Sequence, residues 1–140
     1  MTIYADTSVL IAVVFEEPDS DRVREWFRRT TQGIIVSDLA RLEFPAVVMR
    51  SARTRRLNPR EASAALTSFD LVAARSRNLR HGRADFAAAE LLVRDFATKL
   101  SAPDALHLAS AKNAGAMLAT LDARLAEAAH GQGVEVAELS

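Results

Sequence analysis

The sequence predicts an α/β fold in which a central, mostly parallel sheet of four to five short strands is flanked by helices. Two observations lead to this prediction. Short apolar segments alternate with longer segments of helical periodicity, the order that produces parallel strands joined by helices. Two of the apolar segments end at an aspartate, Asp6 or Asp122, which is followed at once by a helical segment. The 140 residues, 49% of them hydrophobic, indicate one globular domain spanning residues 1–140.

The first part of the chain is predicted to form two strands and two helices. The strands are TIYA and GIIVS, which are both short and apolar. Between them, TSVLIAVVF is apolar nearly all round, which predicts a deeply buried helix. DSDRVREWFRRT is amphipathic and predicts a second helix that turns Val23, Trp26 and Phe27 inward.

The middle of the chain is predicted to be mainly helical. Ser37 or Asp38 caps a third helix that extends to about Arg56. Pro45 predicts a kink or a fresh start within that helix, because proline has no N–H to donate. Pro59 opens a fourth helix, PREASAALTSFDLVAARS, and RNLRH follows as a short strand.

The last part of the chain returns to alternating elements. A fifth helix is predicted over Ala84–Thr98, and a sixth over Ala102–Ala114, where Gly115 stops it. AMLATL is a strand that ends at Asp122, and Ala123–His130 is helical. GVEVAEL is predicted to close the chain as a fifth strand.

Composition narrows the location and the chemistry. No apolar stretch approaches the roughly 18 residues that a membrane span needs, and no basic region precedes an apolar core at the start of the sequence. We therefore expect a cytoplasmic protein with no membrane partner. The sequence contains no cysteine, so a bound metal would be held by oxygen or imidazole.

The charges give no whole-molecule attraction to nucleic acid, because the formal net charge is zero. Sixteen of the eighteen basic residues are arginine, clustered in the ranges 22–29, 50–56 and 75–83. Arginine suits bidentate contacts to phosphate, and Arg50–Arg56 is the run that we expect to guide a nucleic-acid backbone. Solvated helix faces are the alternative use of these clusters.

Four carboxylates form the candidate site: Asp6, Glu43, Asp104 and Asp122. Asp6 and Asp122 follow strands, so both lie at the edge of a parallel sheet where ligands bind. Glu43 falls within the predicted apolar stripe of the third helix, which consists of Leu39, Leu42, Ala46 and Val47. A carboxylate there needs a compensating partner. Helix capping is the alternative role of the three aspartates, with Ser101 as the N-cap before Asp104.

These carboxylates, if they converge, would repel one another and oppose folding unless a cation neutralised them. An oxygen-only set without thiols suits the hard ions Mg²⁺ and Mn²⁺ better than zinc. Carboxylate-held Mg²⁺ is the arrangement that cleaves phosphodiester bonds. The residues themselves therefore favour a nuclease.

Four segments resemble the PIN-domain ribonucleases, and specifically the VapC-like toxins of toxin–antitoxin pairs. They are YADTSVLIA, LARLEFPAVVMR, APDALHLASA and ATLD, in the order and approximate spacing of that family. The resemblance covers the whole chain, and PDALHLA is its most specific part. It implies a compact α/β fold and identifies Asp6, Glu43, Asp104 and Asp122 as the acidic metal-binding residues.

The same resemblance implies an activity and partners. The expected activity is Mg²⁺- or Mn²⁺-dependent endonucleolytic cleavage of RNA, and the expected partners are a cognate antitoxin and a second copy of the chain. Thr7 or Ser8, together with Thr120, match positions where the family has hydroxyls that support the acidic site. Helix capping and strand-end hydrogen bonding are the alternative roles of these hydroxyls.

Other interpretations are kept open. His107, three residues after Asp104, is a general base, a metal ligand, or a core residue that hydrogen-bonds to the site. His81 and His130 are expected at the surface. The rival functions are a PIN fold that binds RNA or protein without cleaving, a structure-specific DNA nuclease, and a phosphatase using Asp6 as nucleophile.

Overall fold

The computed structural model describes residues 1–140 and contains one sheet of four parallel strands. The strands are β1 (Thr2–Ala5), β2 (Gly33–Ser37), β3 (Arg77–Leu79) and β4 (Met117–Ala119). Their order is β3-β2-β1-β4, so β1 and β2 are central and each strand runs parallel to its neighbour. The predicted α/β class and parallel sheet are confirmed.

Seven helices connect and cover the strands. They are α1 (Thr7–Val14), α2 (Ser20–Arg29), α3 (Asp38–Arg53), α4 (Pro59–Ala74), α5 (Arg83–Arg94), α6 (Ala102–Asn113) and α7 (Ala123–Gly131). None of them combines the length and the apolar character that crossing a bilayer requires. Their order along the chain matches the prediction from periodicity.

The core lies on both faces of the sheet, because successive strand residues point to opposite sides. Ile3 and Ala5 of β1 join an 18-residue cluster with residues of α1 to α4. Tyr4, which lies between them, joins a 15-residue cluster with residues of α5, α6 and α7. The sheet is therefore covered on both faces, as parallel sheets usually are.

Local capping explains where several helices begin. The Ser37 hydroxyl accepts a hydrogen bond from the Ala40 N–H at the start of α3. Asn58 and Glu61 form a reciprocal capping box at the start of α4, around Pro59. Ser101 caps α6 by accepting from the Asp104 N–H at 3.3 Å.

The predicted apolar stripe of α3 was wrong. Leu42 is 69% exposed, and the residues that α3 buries are Ala40, Phe44 and Val48. The helix also continues through Pro45 without a fresh start. The Phe44 ring stacks on that of Phe69 with centroids 4.2 Å apart, so packing next to the proline offsets the lost hydrogen bond.

Two other boundaries differ from the prediction. GVEVAEL is not a strand, because its only ladder contact is a single bridge between Leu118 and Val136. Beyond the bridge, the Arg22 guanidinium donates to the Leu139 carbonyl and draws the chain towards α2. Helix α5 ends at Arg94, four residues early, and the Thr98 hydroxyl donates to the Leu92 carbonyl in its last turn.

Candidate active site

Asp6 directly follows β1, one of the two central strands, and caps α1. Its side chain is buried, and its Oδ1 accepts hydrogen bonds from the Ser8 hydroxyl at 2.6 Å and the Val9 N–H at 3.1 Å. Its Oδ2 accepts from the Thr120 hydroxyl. Burial raises the pKa of Asp6, and the hydrogen bonds from Ser8 and Thr120 oppose that rise. Capping and membership of the acidic site are therefore compatible for this residue.

The hydroxyls of Ser8 and Thr120 also connect β1 to β4. Ser8 Oγ accepts from the Leu121 N–H, and Thr120 Oγ1 accepts from the Asp122 N–H, both at 3.0 Å. The Asp6 N–H donates to the Ala119 carbonyl. These bonds fix Asp122 relative to Asp6 at the carboxyl edge of the sheet.

Asp122 is the N-cap of α7, and it is exposed to solvent. Its Oδ1 accepts from the N–H groups of Arg124 and Leu125, at 2.9 and 3.2 Å. Its other oxygen accepts no hydrogen bond from the protein. One carboxylate oxygen therefore caps the helix, and the second is free to contact a ligand.

Glu43 has the partners that its position on α3 requires. Its Oε1 accepts from the Thr7 hydroxyl at 2.7 Å and lies 2.6 Å from His107 Nε2. Partial burial acts to raise the pKa of Glu43, but the hydrogen bonds and the charge of His107 outweigh it and lower the pKa below its usual value. Oε2 accepts no hydrogen bond from the protein.

His107 is a buried link between Glu43 and the sheet. It is 2% exposed, and its Nδ1 lies 2.7 Å from the hydroxyl of Tyr4. The two rings meet edge to face, with centroids 5.6 Å apart. Sequence reasoning did not include Tyr4, although a tyrosine within an otherwise aliphatic strand was a signal that its hydroxyl needs a partner.

Asp104, in the first turn of α6, lies close to the other acids. It lines a cavity of about 780 Å³ together with Asp122, Lys99 and Arg124. Burial raises the pKa of Asp104, the negative charges of Asp122 and Glu43 add to the rise, and Ser101 and His107 counteract it. The structure thus brings Asp6, Glu43, Asp104 and Asp122 to one edge of the sheet.

No arginine or lysine forms a salt bridge at this acidic edge. None of the four carboxylates forms a salt bridge with either residue type, and the one basic side chain in contact with them is His107, which lies against Glu43. As the side chains stand, no three acidic or histidine groups are arranged as ligands of one ion. The carboxylate oxygens of Glu43 and Asp122 that accept no hydrogen bond from the protein, together with the carboxylate of Asp104, nevertheless suit a hard divalent cation.

The basic residues at this edge differ from those expected. Lys99 and Arg124 line the cavity of Asp104 and Asp122, and also an adjoining cavity of about 500 Å³ with Asp95 and Glu127. The run Arg50–Arg56 begins seven residues beyond Glu43, which is about 10 Å along the axis of α3. Lys99 and Arg124 are therefore better placed to contact a polyanion bound at the acids.

The expectation that His81 is a surface residue was wrong. Its Nε2 accepts from the Leu39 N–H at the start of α3, and its Nδ1 lies 2.8 Å from the Ser110 hydroxyl. Burial lowers the pKa of His81. The neutral ring, protonated on Nδ1, fits both contacts. His81 therefore anchors the helix that carries Glu43, while His130 is exposed as expected.

Comparison with known proteins identifies a family model and several similar structures. The model described as PIN domain matches residues 3–131. No curated protein sequence matches the chain significantly.

Solved structures with a similar fold come from several bacteria. VapC20 of Mycobacterium tuberculosis, described as a Sarcin-Ricin loop cleaving toxin, is 20% identical, with 90% of this chain and 94% of that chain covered and a TM-score of 0.71. FitAcB from Neisseria gonorrhoeae is 18% identical over 98% and 97%, with a TM-score of 0.73. A toxin-antitoxin complex from Klebsiella pneumoniae is 14% identical over 99% and 98%, with a TM-score of 0.70. At these identities the likeness is one of fold.

Proposed function

The chain belongs to the PIN domain family, whose model matches residues 3–131, and from this premise we propose that it is a Mg²⁺- or Mn²⁺-dependent endoribonuclease. We propose further that it acts as the toxin of a toxin–antitoxin module, and that residues 1–140 work as a single catalytic domain in the cytoplasm. VapC20, similar in fold, is described as a toxin that cleaves the sarcin-ricin loop.

One observation supports the nuclease assignment above all others. Acidic side chains that are up to 116 positions apart in the sequence lie at one sheet edge, and no lysine or arginine pairs with them. Mutual repulsion of this kind opposes folding, so a chain that keeps it has a use for a divalent cation. A module that only binds RNA or protein has no need of such a cluster.

The four acids and the neighbouring hydroxyls have different proposed roles. Asp6, Glu43 and Asp104 would bind the ion directly, and Asp122 would bind a second ion or position the attacking water. When bound, Mg²⁺ or Mn²⁺ would lower the pKa of that water and stabilise the charge that develops on the phosphate. The hydroxyls of Thr7, Ser8 and Thr120 would hold Glu43 and Asp6 in place through the bonds described above.

Lys99 and Arg124 are proposed to contact the RNA backbone. Both line the cavity that contains Asp104 and Asp122, and neither forms a salt bridge within the chain. Two cations beside the acids would attract the phosphates on either side of the cleaved bond, in spite of the zero net charge of the whole molecule.

An antitoxin and a second copy of the chain are the proposed protein partners. The structure from Klebsiella pneumoniae is described as a toxin-antitoxin complex. In this chain, α5 and the residues after it expose large apolar side chains, those of Phe86, Leu91, Val93 and Phe96. Exposed apolar side chains grouped along one segment are typical of a protein interface.

Digestion of RNA with and without EDTA, run beside the Asp6→Asn variant, tests the proposed function. Cleavage that needs Mg²⁺ or Mn²⁺ and is absent from the variant is the expected result. Undiminished cleavage by the variant would contradict the assignment of Asp6. A chain that binds RNA, cuts none, and shows no Mn²⁺ site by calorimetry would be a binding module instead.

A further inference from the structure

We propose that His107 is a positioning residue, which holds Glu43 by one carboxylate oxygen and leaves the other oxygen to the divalent cation. Tyr4 and Thr7 complete this arrangement. The inference rests on the proposed function, because it concerns how the chain prepares one of the proposed ligands. It assigns His107 no contact with the metal or the substrate.

The contacts of Glu43 are all on one of its two oxygens. Oε1 accepts from the Thr7 hydroxyl at 2.7 Å and from His107 Nε2 at 2.6 Å, whereas Oε2 accepts nothing from the protein. An ionised carboxylate can only accept hydrogen bonds, so the Nε2 atom of His107 carries a proton. Two donors on one oxygen restrict the rotation of the carboxylate and reserve Oε2.

His107 is itself held rigidly. Its side chain is 2% exposed. The hydroxyl of Tyr4, a completely buried residue of β1, lies 2.7 Å from its Nδ1. Nε2 donates to Glu43, and Nδ1 pairs with the Tyr4 hydroxyl. The ring orientation is therefore fixed from both sides, as it is for histidines that orient the ligands of metal sites.

The hydrogen bonds of Glu43 also join the three helices that carry, or begin at, Asp6, Glu43 and Asp104. Thr7 directly follows Asp6 at the start of α1, Glu43 is on α3, and His107 lies one turn after Asp104 on α6. Repulsion between carboxylates acts to separate these elements. The hydrogen bonds from Thr7 and from His107 to Glu43 counteract that separation, because the first joins α1 to α3 and the second joins α6 to α3.

Two amide substitutions separate positioning from packing. In His107→Gln the amide nitrogen takes the place of Nε2 and can still donate to Glu43. In His107→Asn the shorter side chain takes the place of Nδ1 and reaches only towards Tyr4. Both variants bury one amide, so their effects on packing are similar, and they differ in the contact to Glu43.

The experiment is a calorimetric titration of the full chain with MnCl₂, with thermal unfolding of each variant measured without metal. We expect His107→Asn to weaken Mn²⁺ binding by about 10- to 100-fold, the usual effect of losing a group that orients a metal ligand. His107→Gln should keep most of the affinity. Equal Mn²⁺ affinity of folded His107→Asn and the wild-type chain would overturn the inference.

A double-mutant cycle tests whether His107 acts through Glu43. On a Glu43→Gln background, His107→Asn should cause no further loss of Mn²⁺ affinity, since the group that it positions is already absent. An equal loss on both backgrounds would contradict positioning. If His107→Asn does not fold, Tyr4→Phe decides: weaker Mn²⁺ binding supports the inference, and unchanged binding overturns it.

The outcomes also distinguish this inference from the proposed function. A wild-type chain that binds no Mn²⁺ and cuts no RNA would remove the proposed function, and the inference with it. A folded His107→Asn variant that binds Mn²⁺ as tightly as the wild-type chain would leave the proposed function intact and remove only the role of His107.

Discussion

The Thr120 hydroxyl, just beyond the end of β4, donates a hydrogen bond to Oδ2 of Asp6, at the end of β1. The same hydroxyl oxygen accepts from the Asp122 N–H at 3.0 Å. A single side chain therefore connects the most buried acid of the site to the most exposed one. Because β1 and β4 are adjacent parallel strands, the connection depends on their register.

Replacing Thr120 by valine should destabilise the fold. Valine has nearly the same shape, but it leaves Oδ2 of Asp6 without a donor and the Asp122 N–H without an acceptor. The free energy of unfolding should fall by about 1–3 kcal/mol, the usual effect of leaving buried polar groups unpaired. Urea denaturation in metal-free buffer measures it. Thr67→Val, at an exposed position of α4, is the matched control and should change stability by less than about 0.5 kcal/mol.

Asp6→Asn should abolish RNA cleavage and, without metal, leave the chain at least as stable as the wild type. Asparagine is as good an N-cap as aspartate and carries no charge. Because the folded-state pKa of Asp6 is raised, ionising this carboxyl removes stability as the pH increases through its unfolded value, 3.8, and its higher folded value. The variant should therefore gain most at neutral pH and nothing in strong acid.

The measurement for Asp6→Asn is thermal unfolding between about pH 3 and 7 in EDTA. Asp70→Asn, on the exposed face of α4, is the control for a general effect of removing one negative charge. If the stability difference between Asp6→Asn and the wild type does not vary with pH, the raised pKa of the buried carboxyl is not its cause, even if cleavage is lost.

Mn²⁺ should stabilise the wild-type chain in proportion to its binding. A ligand that binds only the folded state adds about 2.7 kcal/mol at a concentration 100 times its Kd, which raises Tm. Glu43→Gln should reduce this rise, because it removes one charged donor of the proposed set, and Asp70→Asn should preserve it. Differential scanning fluorimetry with MnCl₂, followed by excess EDTA, measures the effect. A wild-type Tm that does not respond to Mn²⁺ would argue against a metal site.

Features that depend on residues close together in the sequence could be predicted from it. The starts of α3 and α4 depend on nearby residues. Of the two caps predicted for α3, Ser37 and Asp38, the structure has Ser37, and Pro59 opens α4 as predicted. The carboxyl-edge positions of Asp6 and Asp122 followed from the alternation of strands and helices alone. The parallel sheet places them just beyond the ends of two adjacent strands, β1 and β4.

Features that depend on distant partners could not be predicted in this way. Tyr4 and His107 are 103 positions apart, and their contact exists only because β1 and α6 pack on the same face of the sheet. The closing segment has a strand-like pattern, but a strand needs a ladder, and only Val136 finds one partner. Helix α3 has a weak apolar pattern, so the direction of its buried face was decided by tertiary packing around Phe44.

Arg124→Gln should weaken RNA binding without changing the fold. Arg124 is exposed, its guanidinium forms no salt bridge, and it lines the cavity of Asp104 and Asp122. Losing one phosphate contact should reduce the slope of log K against log salt concentration by about 0.7 for single-stranded RNA. Fluorescence anisotropy on the Asp6→Asn background, where RNA stays intact, measures this slope between about 50 and 200 mM KCl.

The matched control for Arg124→Gln is Arg53→Gln. Arg53 lies in the last turn of α3, within the Arg50–Arg56 run that we expected from the sequence to guide the nucleic-acid backbone. A larger reduction for Arg53→Gln than for Arg124→Gln would move the proposed RNA path to the far end of α3, because the salt slope counts phosphate contacts wherever they are made.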